Sequence, residues 1–190
     1  SSRGVGQDDP LSANTFAVNL GRLLEELGRT WKEKGWRLGL CDEVITHVPG
    51  WPSIVEQIHL AGANAVRVRT STEDGFELRA ETLLEAITPR TRGIVLNSPG
   101  NPTGAIMRES ELGRLAEGVV GQPIWIILDL CYEQLIYDDA PHNLPRVLAD
   151  HVPEQTVLVG SASKSYAMTG WRCGWVLAPS AVAAACNAVQ

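Results

Sequence analysis

The chain has 190 residues, of which 44% are apolar and 20% charged, with a formal net charge of −6. That length suffices for one domain with a sizeable core or for a piece of a larger protein, and the proportions are those of a soluble globular chain. The acidic balance argues against nucleic acid or an anionic membrane surface as the main partner, and no apolar run approaches the roughly 18 to 20 residues of a membrane span.

The opening SSRGVGQDDP lacks the charged-then-apolar layout of a signal peptide. An apolar-periodic helix is expected over 12–29, carried by Phe16, Leu20, Leu23, Leu24 and Leu27. Short β-branched runs then alternate with helix-like stretches. Strands are expected at 42–48, 64–70, 92–98, 123–130, 155–161 and 173–179, and helices at 52–61, 79–87, 108–118 and 180–189. This alternation implies βαβ units: an α/β fold of three α/β/α layers around a mainly parallel sheet. The four cysteines, Cys41, Cys131, Cys173 and Cys186, show no CxxC pair and no zinc spacing. Reduced core or near-core thiols, no metal and a cytoplasmic setting are expected.

In parallel sheets ligands collect beyond the carboxyl ends of the strands, and the residues with chemistry to offer fall there. Lys164 follows the strand ending at Ser161, among small neighbours that would let a bulky cofactor approach; alone the signal is weak, since a lysine after a strand is far more often simply solvated. Arg172, flanked by Gly170 and Gly174, offers a donor fork suited to phosphate, and the Ser161 hydroxyl could join it; a surface arginine is the plain alternative. Asp129 closes the apolar run IWIILDL, where a carboxylate either caps the next segment or balances a buried cation. Tyr132 can project the same way and donate from its phenol, or be a half-buried aromatic with a wet hydroxyl. NSPGNPTG (97–104) is dense in turn formers, and its two X-Pro bonds make a stiff loop able to fix the Asn101 amide, with a cis bond at Asn101–Pro102 compatible. Trp51, in PGWP, is either packing or a platform for an aromatic ring.

Four segments together, CDEVITHVPGWPS, ITPRTRGIVLNSPGNPTGA, DLCY and SASKSYAMTGWRCGW, resemble the class I/II aminotransferases related to aspartate aminotransferase. These are fold type I pyridoxal-phosphate enzymes, and the part resembled is their large domain. The resemblance covers about 41–189, with 28 residues from Asn101 to Asp129, 3 to Tyr132, 35 from Asp129 to Lys164 and 8 from Lys164 to Arg172. It implies pyridoxal 5'-phosphate as cofactor. Lys164 would form the Schiff base and act as general base, and Asp129 would pair with the pyridine nitrogen. Asn101 and Tyr132 would hydrogen-bond the phenolic oxygen, Ser161 and Arg172 would hold the phosphate, and Trp51 would stack on the ring.

The activity so implied is ping-pong transfer of an amino group between an amino acid and a 2-oxo acid, aspartate and 2-oxoglutarate being one pairing, by a homodimer in the full-length protein. Other fold type I reactions (a C–S lyase, a cyclopropane-forming synthase), a cofactor-binding sensor and an inactive fragment are the alternatives. Residues 1–40 match poorly: LSANT (11–15) is the one candidate for the family's phosphate loop and lacks its glycine. Residues 41–190 read as the cofactor-binding large domain, ending before the C-terminal small domain.

Overall fold

The computed structural model describes residues 42–137 and 142–188. The helix expected over 12–29, the LSANT stretch and Cys41 lie outside them.

Alternation of strand and helix runs through the described chain: β1 (Glu43–Val48), α1 (Pro52–Leu60), β2 (Asn64–Arg69), α2 (Ala80–Glu85), β3 (Thr91–Asn97), α3 (Glu109–Val119) and β4 (Trp125–Asp129). After them come α4 (Leu144–His151), β5 (Thr156–Ser161), the single-turn α5 (Ala162–Ser165), β6 (Gly174–Leu177) and α6 (Ser180–Ala188). The six strands form one sheet in the order β2-β1-β3-β4-β5-β6. Neighbours from β2 to β5 are parallel, and only β6 runs antiparallel to its partner, β5.

The central strands carry apolar side chains on both faces, as a sheet covered on two sides requires. Ile45, Ile94, Leu96, Ile126, Leu128 and Leu158 face one way, against Leu83, Leu112, Leu115 and Leu148 of α2, α3 and α4. Val44, Val95, Ile127, Val157 and Val159 face the other, against Ile54 and Ile58 of α1 and Val182 of α6. Successive residues therefore enter opposite cores, the period-2 alternation of a strand. The α/β/α sandwich is the architecture expected from the sequence.

Helix α4 has no counterpart among the expected elements. Its sequence, LPRVLADH, is short and holds a proline, but Pro145 sits in the first turn, where its missing N–H costs nothing. Asn143 caps it, its side-chain oxygen accepting from the Arg146 N–H at 3.2 Å.

Candidate active site

The parallel strands all point their carboxyl ends the same way, and β1, β3, β4 and β5 end beside one another. Asn97 and Asp129 close β3 and β4 in register, and Ser161 closes β5 one strand further along.

The NSPGNPTG loop leaves β3 and is pinned by its own backbone. Ser98 N–H donates to the Asp129 carbonyl at 3.2 Å, Gly100 N–H to Ala105 at 2.9 Å, and Gly104 N–H to Gly100 at 2.7 Å. Gly104 has φ +71°, a left-handed conformation that disfavours a side chain. The Ser98 hydroxyl closes the loop by accepting from Met107 N–H at 3.0 Å. Within it the Asn101–Pro102 bond is cis, as are Val48–Pro49 and Ser98–Pro99. So held, Asn101 directs its amide at a definite partner, donating from Nδ2 to the Tyr132 hydroxyl at 3.2 Å. Burial raises the Tyr132 pKa, with the Asn101 hydrogen bond opposing, so the phenol keeps its proton.

Asp129 Oδ1 accepts from Cys131 N–H at 2.9 Å. Desolvation nevertheless pushes the carboxyl up to about 6, with that hydrogen bond opposing. Among the described residues no ion pair balances it. The cap reading is realised, one oxygen turning the chain at Cys131.

Lys164 lies in α5, partly buried. Ser161 caps this turn, Oγ accepting from Ser163 N–H at 3.1 Å. The Cys131 thiol is within electrostatic reach of Asp129 and Lys164 and hydrogen-bonds with Ser161. Burial pushes it up to about 11, the Asp129 charge adds to the rise, and the Lys164 charge and a hydrogen bond with Ser161 oppose it. The thiol is therefore neutral at physiological pH and marks Asp129, Lys164 and Ser161 as neighbours.

Arg172 follows a single 3-10 turn and adopts φ 52°, ψ 41°, a left-handed conformation unfavourable for any residue with a Cβ. Its guanidinium is exposed and donates through Nη1 to the Thr169 carbonyl at 3.1 Å. Trp51 stands beyond the end of β1, 39% exposed, as the residue preceding α1.

The structure thus puts Asn101 against Tyr132, and Asp129, Lys164 and Ser161 around one thiol, with Arg172 and Trp51 flanking them on their own strand ends. Cys131 reads from sequence as an inert thiol, and nothing in the sequence alone places it within reach of both an acid and an amine. Asn97 and His47 were also not singled out, although both are buried polar residues at strand ends, 1% and 4% exposed. A polar residue closing an apolar run was the available signal for Asn97, as it was for Asp129.

A family model described as aminotransferase class I and II matches residues 36–190. The probable aspartate/prephenate aminotransferase of Aquifex aeolicus is 46% identical over 138 residues, covering 73% of this chain and 35% of that protein. The aspartate aminotransferase of Bacillus subtilis is 44% identical over 134 residues, covering 70% of this chain and 34% of its own length. Among solved structures, the Thermus thermophilus aspartate aminotransferase with maleate superposes with a TM-score of 0.77 at 37% identity, covering 90% of this chain and 41% of that one. The chain spans about a third of the length of these curated relatives.

Proposed function

Since the chain belongs to the class I and II aminotransferases, we propose that it supplies the cofactor site of a pyridoxal 5'-phosphate-dependent aminotransferase. The observation that carries this reading is Asp129: a carboxyl at the end of β4, tied by one oxygen to Cys131 N–H, raised to about 6 by desolvation and in no ion pair among the described residues. A buried carboxylate is costly unless paired, and a protonated pyridine nitrogen is the cation that fits. The rest of the constellation suits the same group. Asn101 and Tyr132 offer an amide and a hydroxyl to one ring oxygen, and the Ser161 hydroxyl and the Arg172 fork suit a phosphate. Trp51 offers a flat, partly exposed face.

When bound, the cofactor supplies an aldehyde that takes up amines and a ring that accepts electrons from the substrate's α-carbon. This chain's residues do the remainder. Lys164 would be the residue that holds the aldehyde, and its free amine would serve as general base for the substrate's α-proton. The Asp129 carboxylate keeps the ring nitrogen protonated, which favours electron withdrawal. Arg172 and Ser161 anchor the phosphate, so the ring stays in place while the lysine is free. The substrates are an amino acid and a 2-oxo acid exchanged in ping-pong order. Aspartate fits the names of the relatives. A homodimer acting in the cytoplasm belongs to the same reading.

The test is reduction with borohydride after loading with pyridoxal phosphate, followed by peptide mapping. The sequence holds three lysines, Lys32, Lys34 and Lys164, and the label is expected on Lys164 alone. Label on Lys32 or Lys34 would remove the assignment. Keto acid formed in step with amine transferred to a 2-oxo acid separates transamination from elimination on the same scaffold.

A further inference from the structure

The mechanism above makes no use of His47 or Asn97, yet Asn101 and Asp129 are hydrogen-bonded to Asn97, and Tyr132 is joined through Asn101 to the same residue. Its side chain bridges two strand ends and a loop: Oδ1 accepts from Asn101 N–H at 2.8 Å, and Nδ2 donates to the Asp129 carbonyl at 3.2 Å. Asn101 in turn holds the Tyr132 hydroxyl. One buried amide therefore sets the spacing between the groups assigned to the ring oxygen and the group assigned to the ring nitrogen.

Asn97 is itself anchored. Its backbone N–H donates to Nε2 of His47 at 3.3 Å, from the neighbouring strand β1. Because Nε2 accepts, the ring proton must sit on Nδ1. The Pro49 backbone also faces the imidazole and, having no N–H, can only accept from it. Burial favours this neutral form. The same histidine is clasped by the turn that carries Trp51: a Cβ on Gly50 would lie 2.6 Å from the His47 carbonyl oxygen and 3.8 Å from the ring's Cε1. The imidazole thus joins the Trp51 turn on one side to the Asn97 hub on the other.

We propose that His47 is a positioning residue of the cofactor site, its imidazole fixing Asn97 and through it the relative places of Asn101 and Asp129. The proposal rests on the reading of this site as a pyridoxal-phosphate site, and the test separates the two. His47→Leu removes the acceptor at similar volume and leaves a buried N–H unpaired. His47→Gln returns an oxygen near the position of Nε2. Val68→Ala is the control, since Val68 pairs with His47 across β1 and β2 and loosens the same region without touching the acceptor.

The first measurement uses ligand-free protein: backbone amide NMR shifts of Asn97, Asn101 and Cys131, with the His47 tautomer from its ring nitrogens. His47→Leu should move all three amides, His47→Gln should restore them, and Val68→Ala should leave them. Wild-type His47 with the proton on Nε2, or amides that ignore His47→Leu, would overturn the proposal. The second measurement loads pyridoxal phosphate and titrates its visible band with pH. His47→Leu should shift the midpoint and weaken binding about tenfold, with His47→Gln closer to wild type. An equal shift in Val68→Ala reduces His47 to a structural part and also overturns the proposal. A wild-type protein that forms no visible band sinks the cofactor reading instead, and the amide shifts alone then decide whether His47 positions Asn101 and the Asp129 turn.

Discussion

Asp129→Asn separates what the buried carboxyl costs the fold from what it does for the cofactor. In the ligand-free protein the carboxyl titrates at about 6, against an ordinary value of 3.8. A folded-state value above the unfolded one means that the folded state holds the proton more tightly. Stability from this group is therefore complete below the ordinary value and is lost as pH rises through about 6. The difference between the two values corresponds to about 3 kcal/mol at neutral pH. Asparagine keeps the shape and the acceptor for Cys131 N–H but cannot ionise. Denaturant unfolding of ligand-free wild type and variant across about pH 4 to 8 isolates the group, because all other titrations cancel in the difference. The variant should gain on the wild type by about 2.5 kcal/mol between those limits. Pyridoxal phosphate should reverse the order, stabilising the wild type more, since only the wild type offers a carboxylate to the ring cation. Two stability curves that run parallel in pH would refute the burial cost assigned to Asp129.

In the full-length enzyme the same substitution should lower turnover far more than cofactor affinity, because the phosphate contacts of Ser161 and Arg172 remain; an unchanged turnover number would count against the counter-ion role. Gly160→Ala should destabilise the β5–β6 pairing by about 1–3 kcal/mol, because the new Cβ would lie 2.2 Å from the Trp175 indole. Adding Trp175→Ala should recover part of that loss, and strictly additive melting shifts would show that the two residues do not meet.

Much of this was legible in the sequence because the strand signal is strong where both faces are buried. IWIILDL is apolar nearly throughout and RGIVLNS has an apolar centre, and their strands close on Asp129 and Asn97, just where the sheet rule looks for site candidates. Asp129, Ser161, Lys164 and Asn101 follow from that one rule. Helix α4 was missed because PHNLPRVLADH reads first as a proline-broken loop, although Asn143 before Pro145 is a helix-start signal. The Asn97–His47 link was hidden for a different reason. It joins residues 50 positions apart on neighbouring strands, and only the β1–β3 pairing brings them together. Spacing along the chain says nothing about such a contact. Cys131 was hidden likewise, since Ser161 and Lys164, at the end of β5 and in α5, lie 30 or more positions away.

Arg172 carries the last expectation, because there the backbone and the side chain make opposite demands. A left-handed residue with a Cβ costs about 1 kcal/mol or more, and the fold retains one at φ 52° with its guanidinium exposed. Strain of this kind persists where the surroundings enforce it, often at functional sites. Two substitutions divide the demands. Arg172→Ala removes the guanidinium and keeps the strain. Arg172→Gly removes both, at the cost of a more flexible unfolded chain. Both should weaken pyridoxal phosphate binding about tenfold or more, since both lose the donor fork. In the ligand-free protein, however, the glycine variant should be more stable than the alanine variant by up to about 1 kcal/mol. Paired melting curves and cofactor titrations check the two halves separately. A glycine variant less stable than the alanine variant would mean that Arg172 is not left-handed in solution. Near-wild-type affinity in both would remove its guanidinium from the phosphate.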